Sequence, residues 1–288
     1  MRIQRIGSVT TKLGEGPVWD DEEQALYFVD VLGRKIHRYD HAGDSFQSFE
    51  TPALVGSIAL RNDGRGVIAA FGDGIGLYDL ATGAVEPLGD PEAGNPLSQW
   101  NDGKADAHGR FLAGTVATDK ESMVCGLYSV EAGRITQLDS GFGITNGPCW
   151  SPDSKTFYYA DSVPCDIYAY DYDLSTGAIS NRRVFANTHA LGGIPDGATV
   201  DSEGRLWSAI CGAGKIACWR PDGVLERTID VPPYLVSSVM FGGPDLDRLF
   251  FTSITGSSLG FADDETGGQL FVVDGLGAVG LPEHRYRG

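Results

Sequence analysis

Four side chains in this sequence, Glu15, Asn101, Asn146 and Asp196, share a setting that suits metal-assisted chemistry. Glu15, Asn146 and Asp196 stand beside glycine, proline or both (GEGP, TNGP, IPDG), Asn101 opens the run NDGKAD, and a turn and a β-prone run follow each. Two carboxylates and two amides are hard oxygen donors, of the kind that hold calcium, magnesium or manganese. A cation with only three or four protein ligands keeps open positions, where it polarises a carbonyl and lowers the pKa of bound water. A carboxylate beside it can accept a proton, and Asp196, fixed between Pro195 and Gly197, is the candidate. A free aspartate titrates at about 3.9 and a neighbouring cation lowers it further, so the ion must supply much of the activation. That combination suits activated esters and lactones better than amides. Any single Asp or Asn here could serve only to hold turn backbone. Its recurrence at four of six equivalent openings favours a metal site.

Those openings fix the architecture that must position them. Glu15, Ser57, Asn101, Asn146, Asp196 and Ser238 are separated by 42, 44, 45, 50 and 42 residues. A period of ~40–50 residues with four strands per unit marks a β-propeller blade, so six openings predict an all-β, six-bladed propeller over residues 1–288. In the first unit Pro17–Trp19, Ala25–Asp30 and Lys35–Asp40 read as strands. In the second, Ser57–Arg61, Gly66–Phe71 and Gly76–Asp79 do, with Asn62, Asp63 and Gly64 as the turn. The third unit runs to about Val130 with its turn at His108 and Gly109, the fourth to Asp173 and the fifth to about Trp219. The sixth, ending with Gly268–Asp274, lacks a fourth strand, and Ile3–Val9 is placed to supply it and close the ring. Equivalent openings then converge at one end of the central channel, with Ser57 and Ser238 as the non-ligating members. Ala117–Cys125 and Phe185–Pro195 read as long, functional loops.

Composition narrows the function further. The formal net charge is -17, from 39 acidic and 22 basic residues, which opposes nucleic acid and anionic lipid as partners and favours cations. Five cysteines (125, 149, 165, 211 and 218) include no CxxC pair and read as reduced, mostly buried thiols of a cytoplasmic protein. No stretch has the length and apolarity of a signal peptide or membrane span. Gly275 to Gly280 matches GxGxxG, but too few residues follow for a βαβ unit. Asp171 to Gly177 imitates a calcium loop with its glycine misplaced and reads as a strand-to-strand turn. Five scattered histidines make no zinc motif. No interface stripe is visible, so a monomer is expected.

The same residues carry a family resemblance. LGEGPVW around Glu15, NDGKAD after Trp100, ITNGPCWSPD around Asn146, GIPDGATVDSEGRLW around Asp196 and FGGPDLDRLFFTS in the last unit resemble the SMP-30/gluconolactonase family, in order and over nearly the whole chain. The resemblance implies a six-bladed propeller with one catalytic divalent cation (calcium, magnesium, manganese, zinc or iron). It implies metal ligation by Glu15, Asn146 and Asp196, acid/base work by Asp196, and substrate contact by Asn101. The implied reaction is hydrolysis of an aldono-1,4- or 1,5-lactone to the aldonic acid. Two substrate positions depart from the regucalcin-like pattern: Gln99 stands for an arginine, and Asp119, in a shortened loop, for a glutamate. Both bear on which sugar is accepted. Two other readings compete: an organophosphate or aryl-ester hydrolase of related fold, and a non-catalytic propeller that binds calcium or sugar.

Overall fold

The computed structural model describes residues 1–288 as 24 β-strands in six antiparallel sheets of four, with two short 3-10 turns as the only helical elements. The innermost strands are β2 (Gly14–Asp20), β6 (Val55–Leu60), β10 (Ser98–Ala105), β14 (Thr145–Trp150), β18 (Ile194–Val200) and β22 (Val236–Gly242). Each packs against the next, and β22 packs against β2, so the six sheets close into a ring. The ring is the six-bladed propeller that the spacing predicts. Its seam is closed as expected: β1 (Arg2–Thr10) pairs with β24 (Gln269–Asp274) as the outermost strand of the sixth sheet.

Aromatic and branched side chains fill the spaces between facing sheets, as in the cluster of Trp207, Phe241, Phe251 and Phe271 between the fifth and sixth. Burying such rings is the main source of stability in stacked blades. No helix is long and apolar enough to cross a membrane. All five cysteines are free, four of them buried.

The motifs read from the sequence are β-bulges. Every innermost strand shifts register by one residue near its start: between Glu15 and Val18, Val55 and Ser57, Trp100 and Gly103, Asn146 and Cys149, Pro195 and Ala198, and Val236 and Val239. An extra residue bends the strand and re-aims its side chains. Gly16 and Gly147 make two of these bulges possible, with φ of 49° and 60°, a left-handed conformation that side chains with a Cβ rarely adopt. A Cβ on Gly147 would also stand 2.9 Å from the Asp196 carbonyl oxygen.

Two expectations need correction. The third, fourth and fifth units extend past Val130, Asp173 and Trp219, because each has a fourth, outermost strand: β13 (Arg134–Phe142), β17 (Ala178–Asn187) and β21 (Leu225–Asp230). The expected loop Phe185–Pro195 narrows to residues 188–193, since β17 runs to Asn187 and β18 begins at Ile194. These outer strands are largely exposed, so they have no apolar run to announce them.

Beyond β24 the chain crosses the base of the ring, the end opposite Glu15 and Asp196. Val279 accepts the Ser202 amide at 2.8 Å, Tyr286 pairs with Leu60 and Asn62, and the Arg287 amide donates to the Gly109 carbonyl at 3.0 Å. The Arg285 guanidinium donates to Asp20 at 2.6 Å. The final segment thus straps several blades together at the base.

Candidate metal centre at the mouth of the channel

Because innermost strands run in the same direction, the bulges all lie at one end of the channel, its mouth. Glu15, Asn146 and Asp196 are buried there, at 7%, 4% and 6% exposure. Glu15 and Asp196 are close enough to share a hydrogen bond, which raises Glu15 and lowers Asp196. Asn101 is half-buried and donates its amide to the Thr145 carbonyl at 2.7 Å and to Asn146 Oδ1 at 3.0 Å. The structure therefore brings Asn101 against Asn146, and Glu15 against Asp196. Ser57 donates its hydroxyl proton to the Asn101 carbonyl at 2.7 Å, which ties the second and third blades.

A third carboxylate was hidden in the NDG motif. Asp102, next to Asn101, is 8% exposed and accepts the Gly147 amide at 2.8 Å and its own neighbour Gly103 at 2.7 Å. Simple strand alternation would turn it away from its neighbour's face, but the bulge between Trp100 and Gly103 breaks that alternation. Its oxygens face backbone amides, so it braces the Asn146 bulge. Its charge still reaches both Glu15 and Asp196.

None of these three carboxylates pairs with a cationic side chain. Lys104 influences Asp102, but its ammonium lies 3.4 Å from Glu283 and 3.4 Å from the Ala198 carbonyl. Burial pushes Asp196 up to about 8, and the Asp102 charge adds to the rise. Glu15 is raised well above the usual carboxylate range, by burial first and then by Asp196 and Asp102. Asp102 is raised by burial, against the opposing pull of the Gly147 amide. The low pKa expected for Asp196 thus belongs to a site containing a cation. Among protein groups alone, desolvation and like charge act in the opposite direction. The Cys211 thiol also faces Asp196, and burial with the two carboxylate charges holds it well above its ordinary value.

Donor chemistry fits a hard divalent cation. Two carboxylates and one amide oxygen would hold it, and buried negative charge without a protein partner is costly unless an ion balances it. No three His, Cys, Asp or Glu side chains are gathered closely enough to hold a metal by themselves. A cavity of about 270 Å³ lies instead at the base, lined by Asp20, Glu22, Asn62, Glu283, Arg285 and Arg287 among others. Acid and base are mixed there, and Arg285 meets Asp20 and Glu22.

The remaining sequence-predicted positions sit on the rim. Gln99 is half-buried at the start of β10, its amide 3.7 Å from where a Cβ on Gly72 would stand. Asp119 is exposed, accepting the Glu121 and Ser122 amides at 3.0 and 2.9 Å and the Ser122 hydroxyl at 2.5 Å. These bonds hold its carboxyl low, at about 2. The structure does not bring Asp119 into the cluster; its oxygens cap their own loop.

Comparison with known proteins gives this site a lineage. Residues 13–255 match the model of the "SMP-30/Gluconolactonase/LRE-like region" family. The chain is 34% identical over 302 residues to regucalcin of Xenopus laevis, covering 100% of this chain and 99% of that protein. It is also 34% identical to pentonolactonase XacC of Haloferax volcanii, covering 99% and 98% of the two chains. The solved structure of a luciferin-regenerating enzyme superposes with a TM-score of 0.93 at 32% identity, covering 100% of this chain and 99% of that one. The family match takes in all six mouth motifs and leaves outside it the two outer strands of the sixth blade, β24 and β1, while the fold agrees throughout. The chain belongs to the SMP-30/gluconolactonase/LRE-like family.

Proposed function

We propose that this protein is a metal-dependent sugar lactonase, hydrolysing an aldono-1,4- or 1,5-lactone to its aldonic acid. The observation that carries the reading is the mouth of the channel, where Glu15, Asp102 and Asp196 are buried together without a cationic partner. Two curated relatives of near-full coverage, one a pentonolactonase by name, support it. Glu15, Asn146 and Asp196 would hold one divalent cation, which when bound polarises the ester carbonyl and acidifies water. Calcium, magnesium, manganese, zinc and iron remain the candidates.

The chain's own residues then divide the work. Asn101, anchored on the Thr145 carbonyl, has an amide placed to orient a lactone oxygen. Asp196 accepts a proton from the attacking water as the new C–O bond forms. The ring C–O bond breaks, and the proton passes to the departing ring oxygen, leaving a carboxylic acid and a hydroxyl. Gln99 belongs to the rim that a sugar must pass, and we assign it to substrate preference, while Asp119 acts at most by shaping its own loop on that rim. The unpaired cysteines support a reducing, cytoplasmic setting. The acidic surface argues against nucleic acid and membrane as partners, and a monomer suffices for the site.

The test is acid release from a panel of aldonolactones, followed by pH indicator on chelator-stripped protein with each cation added back. Spontaneous opening is subtracted. Turnover of one lactone with one cation is the expected result. Metal binding with no turnover on any lactone or aryl ester would leave a binding propeller instead, and turnover confined to aryl or phosphate esters would move the assignment to that class.

A further inference from the structure

Asn146 can ligate a cation only through its oxygen, so something must decide which end of its amide faces the channel. An amide nitrogen turned inward would present hydrogens to the ion. Four hydrogen bonds across three blades make this decision, and their polarity admits one solution.

At one end stands the Pro195 carbonyl, which can only accept. Ser162, 2% exposed in the turn after Thr156–Asp161, lies 2.7 Å from it and must donate its single proton there. The Ser162 oxygen is then left to accept, and the group 3.0 Å away on Asn146 must be its nitrogen. At the other end, Asn101 lies 2.7 Å from the Thr145 carbonyl, so that atom of Asn101 is a nitrogen. The Asn146 atom 3.0 Å from it is therefore the oxygen. Both ends give the same assignment, and the Asp102 bond to Gly147 holds the bulge on which Asn146 rides.

We propose that Ser162 is a positioning residue that fixes the Asn146 amide with its oxygen toward the channel, and that its link to Pro195 couples this orientation to the neighbouring Asp196. The inference rests on reading Asn146 as a metal ligand. Ser162 touches neither substrate nor ion in this account. It acts through Asn146.

The experiment is a double-mutant cycle read by calorimetric titration of calcium or manganese into stripped, full-length protein, with melting temperature as the folding control. Ser162→Ala should weaken cation binding by about 10–100-fold, the range for residues that orient a metal's ligands. In an Asn146→Asp background the ligand has two equivalent oxygens and nothing to orient, so adding Ser162→Ala should change affinity by less than about threefold. A role confined to packing would cost the same in both backgrounds and would overturn the proposal, as would unchanged affinity in Ser162→Ala alone. Failure of the unmutated protein to bind any cation is a different outcome: it removes the metal reading and this inference with it.

Discussion

The mouth and the base of the channel are built from the same six strands, yet they treat buried carboxylates in opposite ways. At the base, Asp20, Asp106 and Asp201 stand where β2, β10 and β18 finish. Each has an arginine: Arg285 at 2.6 Å, Arg110 at 2.9 Å and Arg205 at 2.7 Å. Each also accepts backbone amides of the following turn, and Asp201 adds the Trp207 indole at 2.9 Å. At the mouth, Glu15, Asp102 and Asp196 have backbone amides and each other, but no arginine or lysine in contact. A charge with its partner supplied by the chain is part of the scaffold. Buried charges left without one mark a place for something the chain does not contain.

Exchanging function and stability between the two ends tests this contrast, and the largest effect is catalytic. Asp196→Asn should lower kcat about a thousandfold on the preferred lactone, the scale of lost acid/base catalysis, without lowering the melting temperature of stripped protein. Steady-state rates and thermal melts on one preparation check both halves. Asp106→Asn should do the reverse. Its carboxylate is fully buried against Arg110 and the Tyr172 hydroxyl, so breaking the pair costs about 3–5 kcal/mol. The melting temperature should fall by roughly 10 °C, with turnover per folded molecule retained.

The pH dependence separates the ends without mutation. Folded Glu15, Asp102 and Asp196 have raised pKa values, so the folded state binds more protons than the unfolded state between the ordinary carboxylate range and about 8. The mouth therefore contributes stability at low pH that is lost as pH rises through that window. Stripped protein should melt lower at pH 8 than Asp196→Asn does relative to their difference at pH 5, and saturating cation should stabilise the unmutated protein more at pH 8. The smallest effect concerns the rim. With both oxygens of Asp119 engaged in its own loop, Asp119→Ala should change kcat/KM by less than about threefold. A larger loss would place that loop over the substrate during turnover.

How much of this was legible in the sequence differs between strands. Inner strands announce themselves because both faces are buried, as with Gly14–Asp20 and Thr145–Trp150, and the bulge glycines recur beside the functional side chains. Outer strands such as Arg134–Phe142 and Ala178–Asn187 face water and are held by pairing to a neighbour, which leaves little periodic trace. At the site, Glu15, Asn146 and Asp196 could be found by their spacing. Asp102 could not, because counting alternate residues fails across a bulge. Ser162 follows the strand Thr156–Asp161 in a turn and reaches Asn146 only through the folding of one blade. Its hydroxyl has no motif of its own.

Calorimetric titration of one divalent cation into stripped protein, beside Glu15→Gln and Asp106→Asn, tests the central claim most directly. The account predicts one equivalent bound by the unmutated protein, affinity reduced by about 100-fold or more in Glu15→Gln, and undiminished binding in folded Asp106→Asn. Equal binding in Glu15→Gln and the unmutated protein would contradict it, because the unpaired carboxylates at the mouth would then not be where the cation sits.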